Sequence, residues 1–194
     1  MKVGVLALQG AVAEHIRSIE QAGATGVIVK RVEQLEELDG LIIPGGESTT
    51  IGKLMRKYDF IDAVRQFSAQ GKPIFGTCAG LIVLAERIEG QDDAHLGLMD
   101  MTVARNAFGR QRESFETDLP VKGIEEPIRA VFIRAPLITQ VGPEVEVLST
   151  FNGEIVTARQ GHLLAASYHP ELTDDYRLHQ YFLDMIKASA NVER

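Results

Sequence analysis

The chain has 194 residues, 45% of them apolar and 24% charged, enough for one domain that buries about 70% of the surface its unfolded form exposes. A formal charge of -7 with no clustered Lys or Arg argues against nucleic-acid binding, and no apolar run approaches the roughly 20 residues of a membrane helix. One cysteine cannot form an internal disulfide, and the apolar run Val3 to Leu8 is too short for a secretory signal, so a reducing cytoplasm is the expected compartment.

Lys2 to Leu8 is a continuous apolar run, the signature of a strand buried on both faces of a parallel sheet. Gln9-Gly10 breaks it, and Ala11 to Ala22 carries Val12, Ile16 and Ile19 at helical spacing, with Gly23 as the stop. A second strand over Gly26 to Val32, a helical turn over Val32 to Leu38 and a third strand over Gly40 to Ile43 repeat the pattern. Such alternation predicts a mostly parallel sheet with helices on both faces, in which ligands bind beyond the C-terminal ends of the strands. The loops there are Gln9-Gly10, Pro44 to Thr50, and the bend at Cys78.

In Pro44-Gly45-Gly46-Glu47-Ser48-Thr49-Thr50 the hydroxyl residues are suited to cap the helix through Ile51, Leu54 and Met55. The glycine pair can turn a backbone N–H toward a site, as an oxyanion hole requires. Phosphate cradling is the weaker reading, because the lysine of a P-loop is missing from its place. After an amphipathic helix over Asp59 to Gln70 comes Gly76-Thr77-Cys78-Ala79-Gly80, between a buried strand at Pro73 to Phe75 and an apolar helix start at Leu81 to Ala85. This is a nucleophile elbow with sulfur in place of the serine oxygen. The plainer alternative for Cys78 is a small buried core cysteine.

Beyond Glu86 the periodicity changes to short strands at Met99 to Ala104, Ser114 to Pro120, Ile128 to Ile133, Val145 to Phe151, Ile155 to Arg159 and His162 to Ser167. This half is expected to be mixed or antiparallel, closed by a helix over Asp175 to Ala188, with Asn191 to Arg194 frayed. His169 precedes Pro170-Glu171, and in an extended segment residues two apart share a side, so Glu171 can hold one imidazole nitrogen and leave the other for a thiol. That is triad logic, in the chain order Cys78, His169, Glu171. His15, His95, His162 and His179 read as surface or packing residues, and no metal site is expected.

Gly76-Thr77-Cys78-Ala79-Gly80 with His169-Pro170-Glu171 resembles the class I, triad glutamine amidotransferases, which are flavodoxin-like three-layer α/β sandwiches. Leu8-Gln9-Gly10-Ala11-Val12 with Glu14-His15, the Pro44 to Thr50 loop, Arg105-Asn106-x-Phe108-Gly109-Arg110-Gln111 and Phe132-Ile133-Arg134-Ala135-Pro136 narrow the resemblance to the glutaminase subunits of pyridoxal 5′-phosphate synthase, from near residue 3 to about residue 185. The resemblance implies a single glutaminase domain over 1–194 that hydrolyses L-glutamine without a cofactor and passes ammonia to a separate synthase subunit in a hetero-oligomeric complex. It further implies glutamine contacts at Gly46, Glu47, Ser48, Arg105, Ile133 and Arg134, with an oxyanion hole from the N–H groups of Gly46 and Ala79. Two alternatives stand beside it: a glutaminase subunit of another amidotransferase pathway, separated by its partner, and a non-catalytic flavodoxin-like protein whose cysteine senses oxidants or scaffolds a complex. The last predicts a cysteine with no histidine in reach.

Overall fold

The computed structural model describes residues 1–105 and 114–192. Its first half alternates as the periodicity predicts: β1 (Lys2–Leu6), α1 (Val12–Gln21), β2 (Thr25–Val29), a 3-10 turn (Val32–Glu37), β3 (Gly40–Ile43), α2 (Ser48–Lys57), α3 (Phe60–Ala69), β4 (Ile74–Thr77) and α4 (Ala79–Leu84). The second half holds β5 (Ala85–Ile88), β6 (Met99–Ala104), β7 (Ser114–Leu119), β8 (Ile128–Ile133), β9 (Leu137–Val141), β10 (Glu146–Phe151), β11 (Glu154–Gln160) and β12 (Leu163–Ala166), then a 3-10 turn (Pro170–Leu172) and α5 (Arg177–Val192).

Ten strands form one sheet in the order β2-β1-β3-β4-β12-β11-β9-β6-β5, with β10 paired on β11. From β2 to β12 the pairings are parallel, whereas β12-β11, β11-β9, β9-β6 and β10-β11 are antiparallel. This is the α/β architecture expected, with the antiparallel additions confined to the C-terminal half. Side-chain alternation sorts the core into two layers. Leu41, Ile43, Ile74, Leu163 and Ala165 pack with Met55, Phe60, Val64 and Phe67 of α2 and α3, while Ile42, Phe75, Leu164 and Ala166 pack with Ile19 of α1 and Leu178 and Phe182 of α5. Successive residues of each central strand thus face opposite layers, which is why these strands read as unbroken apolar runs.

β7 and β8 form a separate antiparallel hairpin, in register from Ser114↔Ile133 to Leu119↔Ile128. Phe115 stacks on Phe132 with centroids 4.7 Å apart, and Phe132 in turn meets the buried ring of Tyr168 at 5.3 Å. The β10-β11 hairpin turns at Asn152-Gly153, both with positive φ, as a two-residue Asn-Gly connection requires.

Several elements depart from the sequence reading, among them β2, which ends at Val29 and not Val32. β1 ends at Leu6, not Leu8. The helix after the elbow stops at Leu84, because Ala85 turns extended and pairs in parallel with Met99 as β5, a strand the periodicity hides in an apolar run. β9 also escapes the sequence pattern, since only its first two residues, Leu137 and Ile138, are apolar and buried. The last helix starts at Arg177, where Asp175 accepts the Arg177 N–H at 3.2 Å from outside the helix, and it runs on through Val192 where fraying was expected; Glu193 and Arg194 lie outside the described residues. Among the described residues, no helix is long and apolar enough to cross a membrane.

Candidate active site

β4 delivers Cys78 to the C-terminal edge of the sheet with φ 52 and ψ -111, a conformation rare for any side-chain-bearing residue and characteristic of a strained turn at a functional position. Small neighbours permit it. A Cβ on Gly76 would stand 2.5 Å from the Gly80 carbonyl oxygen, and one on Gly80 would stand 2.0 Å from the Ile43 carbonyl oxygen, so strand and helix meet backbone to backbone. The Cys78 side chain is mostly buried and its sulfur lies 3.9 Å from the Ile133 carbonyl oxygen.

β12 runs parallel beside β4, with Ala166 opposite Thr77, so the chain leaving β12 emerges next to the elbow. The His169 N–H donates to the Val131 carbonyl of β8 at 2.8 Å, which fixes the ring from the hairpin side. Pro170 then opens a 3-10 turn rather than continuing an extended segment, and it is this turn, not strand alternation, that swings Glu171 back toward its neighbour. Glu171 Oε1 and His169 Nδ1 are 2.6 Å apart, with the Glu171 side chain almost fully buried. Burial alone would lower the proton affinity of His169; hydrogen bonds and charge from Cys78 and Glu171 outweigh it and raise its pKa to about 10. With Nδ1 held by the carboxylate, Nε2 is the nitrogen left for the sulfur.

Gly45 is wedged against both partners: a Cβ there would lie 2.9 Å from His169 Cε1 and 3.2 Å from Cys78 Cβ. Gly46, at φ 138, has no room for a side chain because Gln9 Oε1 would be 2.4 Å away, and that same oxygen accepts the Glu47 N–H at 2.8 Å. Ala79 follows Cys78 as the first residue of α4. The cap of α2 differs from the expectation: the Glu47 carboxylate, not a hydroxyl, accepts from the N–H groups of Thr49 and Thr50 and from the Thr50 hydroxyl. The Thr50 hydrogen bonds hold Glu47 below the usual carboxylate range, so it is ionised. Ser48 is buried in the first turn of α2.

Arg105, at the end of β6, donates from Nη1 to Thr49 Oγ1 at 3.3 Å, and with Glu47, Glu89 and Ala104 it lines an open cavity of about 490 Å³. Ile133 and Arg134 arrive at the end of β8, Arg134 with φ 45. The residues named in the sequence thus gather at one edge of the sheet. Asn106, Phe108, Gly109, Arg110 and Gln111 of the Arg105 motif lie outside the described residues.

The sequence marks His15 and His179 as surface or packing residues; the packing part holds, with polar contacts that spacing does not foresee. Both are fully buried, with His15 Nδ1 2.9 Å from His179 Nε2 and His15 Nε2 3.5 Å from Glu171 Oε2. The signal was present: His15 falls on the Val12, Ile16, Ile19 stripe of α1 and His179 on the Leu178, Phe182, Ile186 stripe of α5, both facing the core.

The model of the SNO glutamine amidotransferase family matches residues 5–188. The pyridoxal 5′-phosphate synthase subunit PdxT of Niallia circulans is 79% identical over 189 residues, covering 97% of this chain and 100% of that one. Its counterpart of the same name from Halalkalibacterium halodurans is 65% identical, covering 99% and 98%. A crystal structure of a glutamine amidotransferase superposes with a TM-score of 0.91 at 50% identity, covering 95% of this chain and 98% of that one.

Proposed function

The chain belongs to the SNO glutamine amidotransferase family, and on that premise we propose that Cys78 is its nucleophile, His169 its general acid and base, and Glu171 the carboxylate that orients the imidazole. The enzyme is a glutaminase of pyridoxal 5′-phosphate synthesis. His169 takes the proton from Cys78, and the thiolate attacks the side-chain amide carbon of L-glutamine. Charge gathers on the amide oxygen, where the N–H groups of Gly46 and Ala79 receive it; one such donor is worth about 2.7–4 kcal/mol. Protonated His169 gives its proton to the departing ammonia and a thioester remains. Water, deprotonated by the same ring, releases L-glutamate.

The observation that carries this assignment is the 2.6 Å contact of His169 with Glu171 together with the ring's proximity to Cys78, both of which favour the imidazolium that each half-reaction must form. It speaks against a solitary redox or scaffold cysteine, which would have no histidine in reach. The Gly46, Glu47, Ser48 loop and Arg105, Ile133 and Arg134 form the glutamine contacts in this reading, with ionised Glu47 suited to an α-ammonium group and the arginines to a carboxylate. The whole chain acts as one glutaminase domain in the cytoplasm, and ammonia passes to the synthase subunit of a hetero-oligomeric complex.

The test is ammonia release from glutamine by the chain, with and without a pyridoxal 5′-phosphate synthase synthase subunit, beside Cys78→Ala. Release that persists in Cys78→Ala overturns the assignment. A glycine pair offers little steric resistance to a peptide flip, so in this reading the Gly45-Gly46 loop becomes competent on partner binding, and equal rates with and without the synthase subunit overturn that part.

A further inference from the structure

Behind the triad lies a second layer of polar side chains that the reaction as written does not use. His15 is wholly buried on α1, and its Nε2 sits in a fork, 3.3 Å from Thr77 Oγ1 and 3.5 Å from Glu171 Oε2. Its Nδ1 lies 2.9 Å from Nε2 of His179, itself wholly buried on α5. Among the described residues, Glu171 Oε2 makes no hydrogen bond, His169 being on Oε1, and the His15 ring nitrogen at 3.5 Å faces this unmet acceptor.

Two neutral imidazoles that face each other share one proton between the facing nitrogens, which leaves two arrangements. If His15 donates from Nδ1, its bare Nε2 lone pair confronts the carboxylate oxygen, and the remaining proton of His179 sits on Nδ1, where it has no partner. A buried unpaired donor and a lone-pair repulsion are both costly. If His179 donates instead, His15 carries its proton on Nε2 and points it at Thr77 and Glu171, and only a bare acceptor at His179 Nδ1 goes unmet. The second arrangement satisfies more of the site. Burial also keeps both rings neutral: it pushes His179 down to about 3 and is the main cause, ahead of His179 and His169, that lowers His15.

We infer that His15 is a positioning residue for the triad: its Nε2–H, set in place by His179, steadies Glu171 through Oε2 so that Oε1 stays on His169, and ties that carboxylate to Thr77 beside the nucleophile. The inference rests on the triad assignment above. His15 touches no reacting atom; it acts through Glu171.

Two variants separate this role from simple packing. The amide of His15→Gln reaches the Nε2 position and can still donate to Glu171, whereas that of His15→Asn reaches only the Nδ1 position and can bond to His179 alone. Each is assayed in complex with the synthase subunit for kcat and KM, and in the isolated chain for the rate of Cys78 alkylation by iodoacetamide as a function of pH. His15→Asn is expected to lose about 10- to 100-fold in kcat, by analogy with removing the hydrogen-bond partner that orients a metal-ligating side chain, with KM little changed. Its alkylation profile moves to higher pH, because a poorly held imidazolium supports the thiolate less. His15→Gln recovers most of both. Wild-type kcat in His15→Asn overturns the inference, and so does an equal loss in the two variants, folded or not. Activity persisting in Cys78→Ala would instead overturn the triad assignment and is read separately.

Discussion

The N–H of Cys78 donates to the carbonyl of Ala166 at 2.8 Å. That bond closes the parallel β4-β12 ladder at the elbow, and it places the chain three residues ahead of His169 directly beside the sulfur. Convergence of Cys78 and His169 is therefore a property of strand order: β12 lies next to β4 although β5 to β11 intervene in the chain.

Glu171→Gln keeps the shape of the acid but cannot hold the imidazole in the same tautomer or stabilise its charge. A loss on the order of 10⁴-fold in kcat is expected, by analogy with the acid of a serine triad, with the fold unchanged. Steady-state ammonia release against glutamine concentration measures it; a loss confined to KM would assign Glu171 to substrate binding instead.

Gly45→Ala inserts a methyl 2.9 Å from His169 Cε1 and 3.2 Å from Cys78 Cβ. One of the two must move, and a misplacement approaching 1 Å lowers the rate by about 10²-fold. Unchanged kcat/KM in this variant would show that the glycine loop sits farther from the reacting pair than described.

Cys78 holds φ 52 and ψ -111, and that strain depends on its Cβ. Cys78→Ala retains the strain while Cys78→Gly removes it, so the glycine variant should be the more stable of the two by about 1 kcal/mol, after the greater freedom of glycine in the unfolded chain is subtracted. Urea denaturation compares them; an alanine variant as stable as the glycine one would mean that the elbow is unstrained.

Buried histidines set the response to acid. The folded values of His15 and His179 lie below 6.5, that of His179 at about 3, so the unfolded chain binds protons that the folded chain refuses. Their contribution is complete above pH 6.5 and falls as pH drops below it, for His179 down to about 3, with a limiting slope of about 1.4 kcal/mol per pH unit for each ring. His169 has the opposite sign: its pKa is raised to about 10, so its contribution is complete below 6.5 and is lost as pH rises toward 10. Below pH 6.5, where the His169 contribution is complete, urea midpoints down to pH 5 should therefore fall in the wild type and fall less steeply in His179→Gln. Equal slopes would mean that His179 does not titrate on unfolding.

Much of this molecule is written locally. The apolar runs of β1, β3 and β4, the stripe of α1, the glycines at 76 and 80 and the Pro after His169 each depend on neighbours a few positions away, so spacing alone places the parallel half of the sheet, the elbow and the three triad candidates. Local pattern is mute where a segment owes its form to distant partners. β5 is a strand because Met99 pairs with Ala85, the α2 cap is Glu47 because the loop turns its carboxylate onto the Thr49 and Thr50 amides, and Glu171 reaches His169 through a 3-10 turn that periodicity could not distinguish from a strand. His15 shows the limit most clearly. Its place on an apolar stripe says that it is buried, but burial is common to packing and catalysis. Only the approach of α1, α5 and the turn after β12, brought together by a sheet order unrelated to chain order, turns that ring toward Glu171.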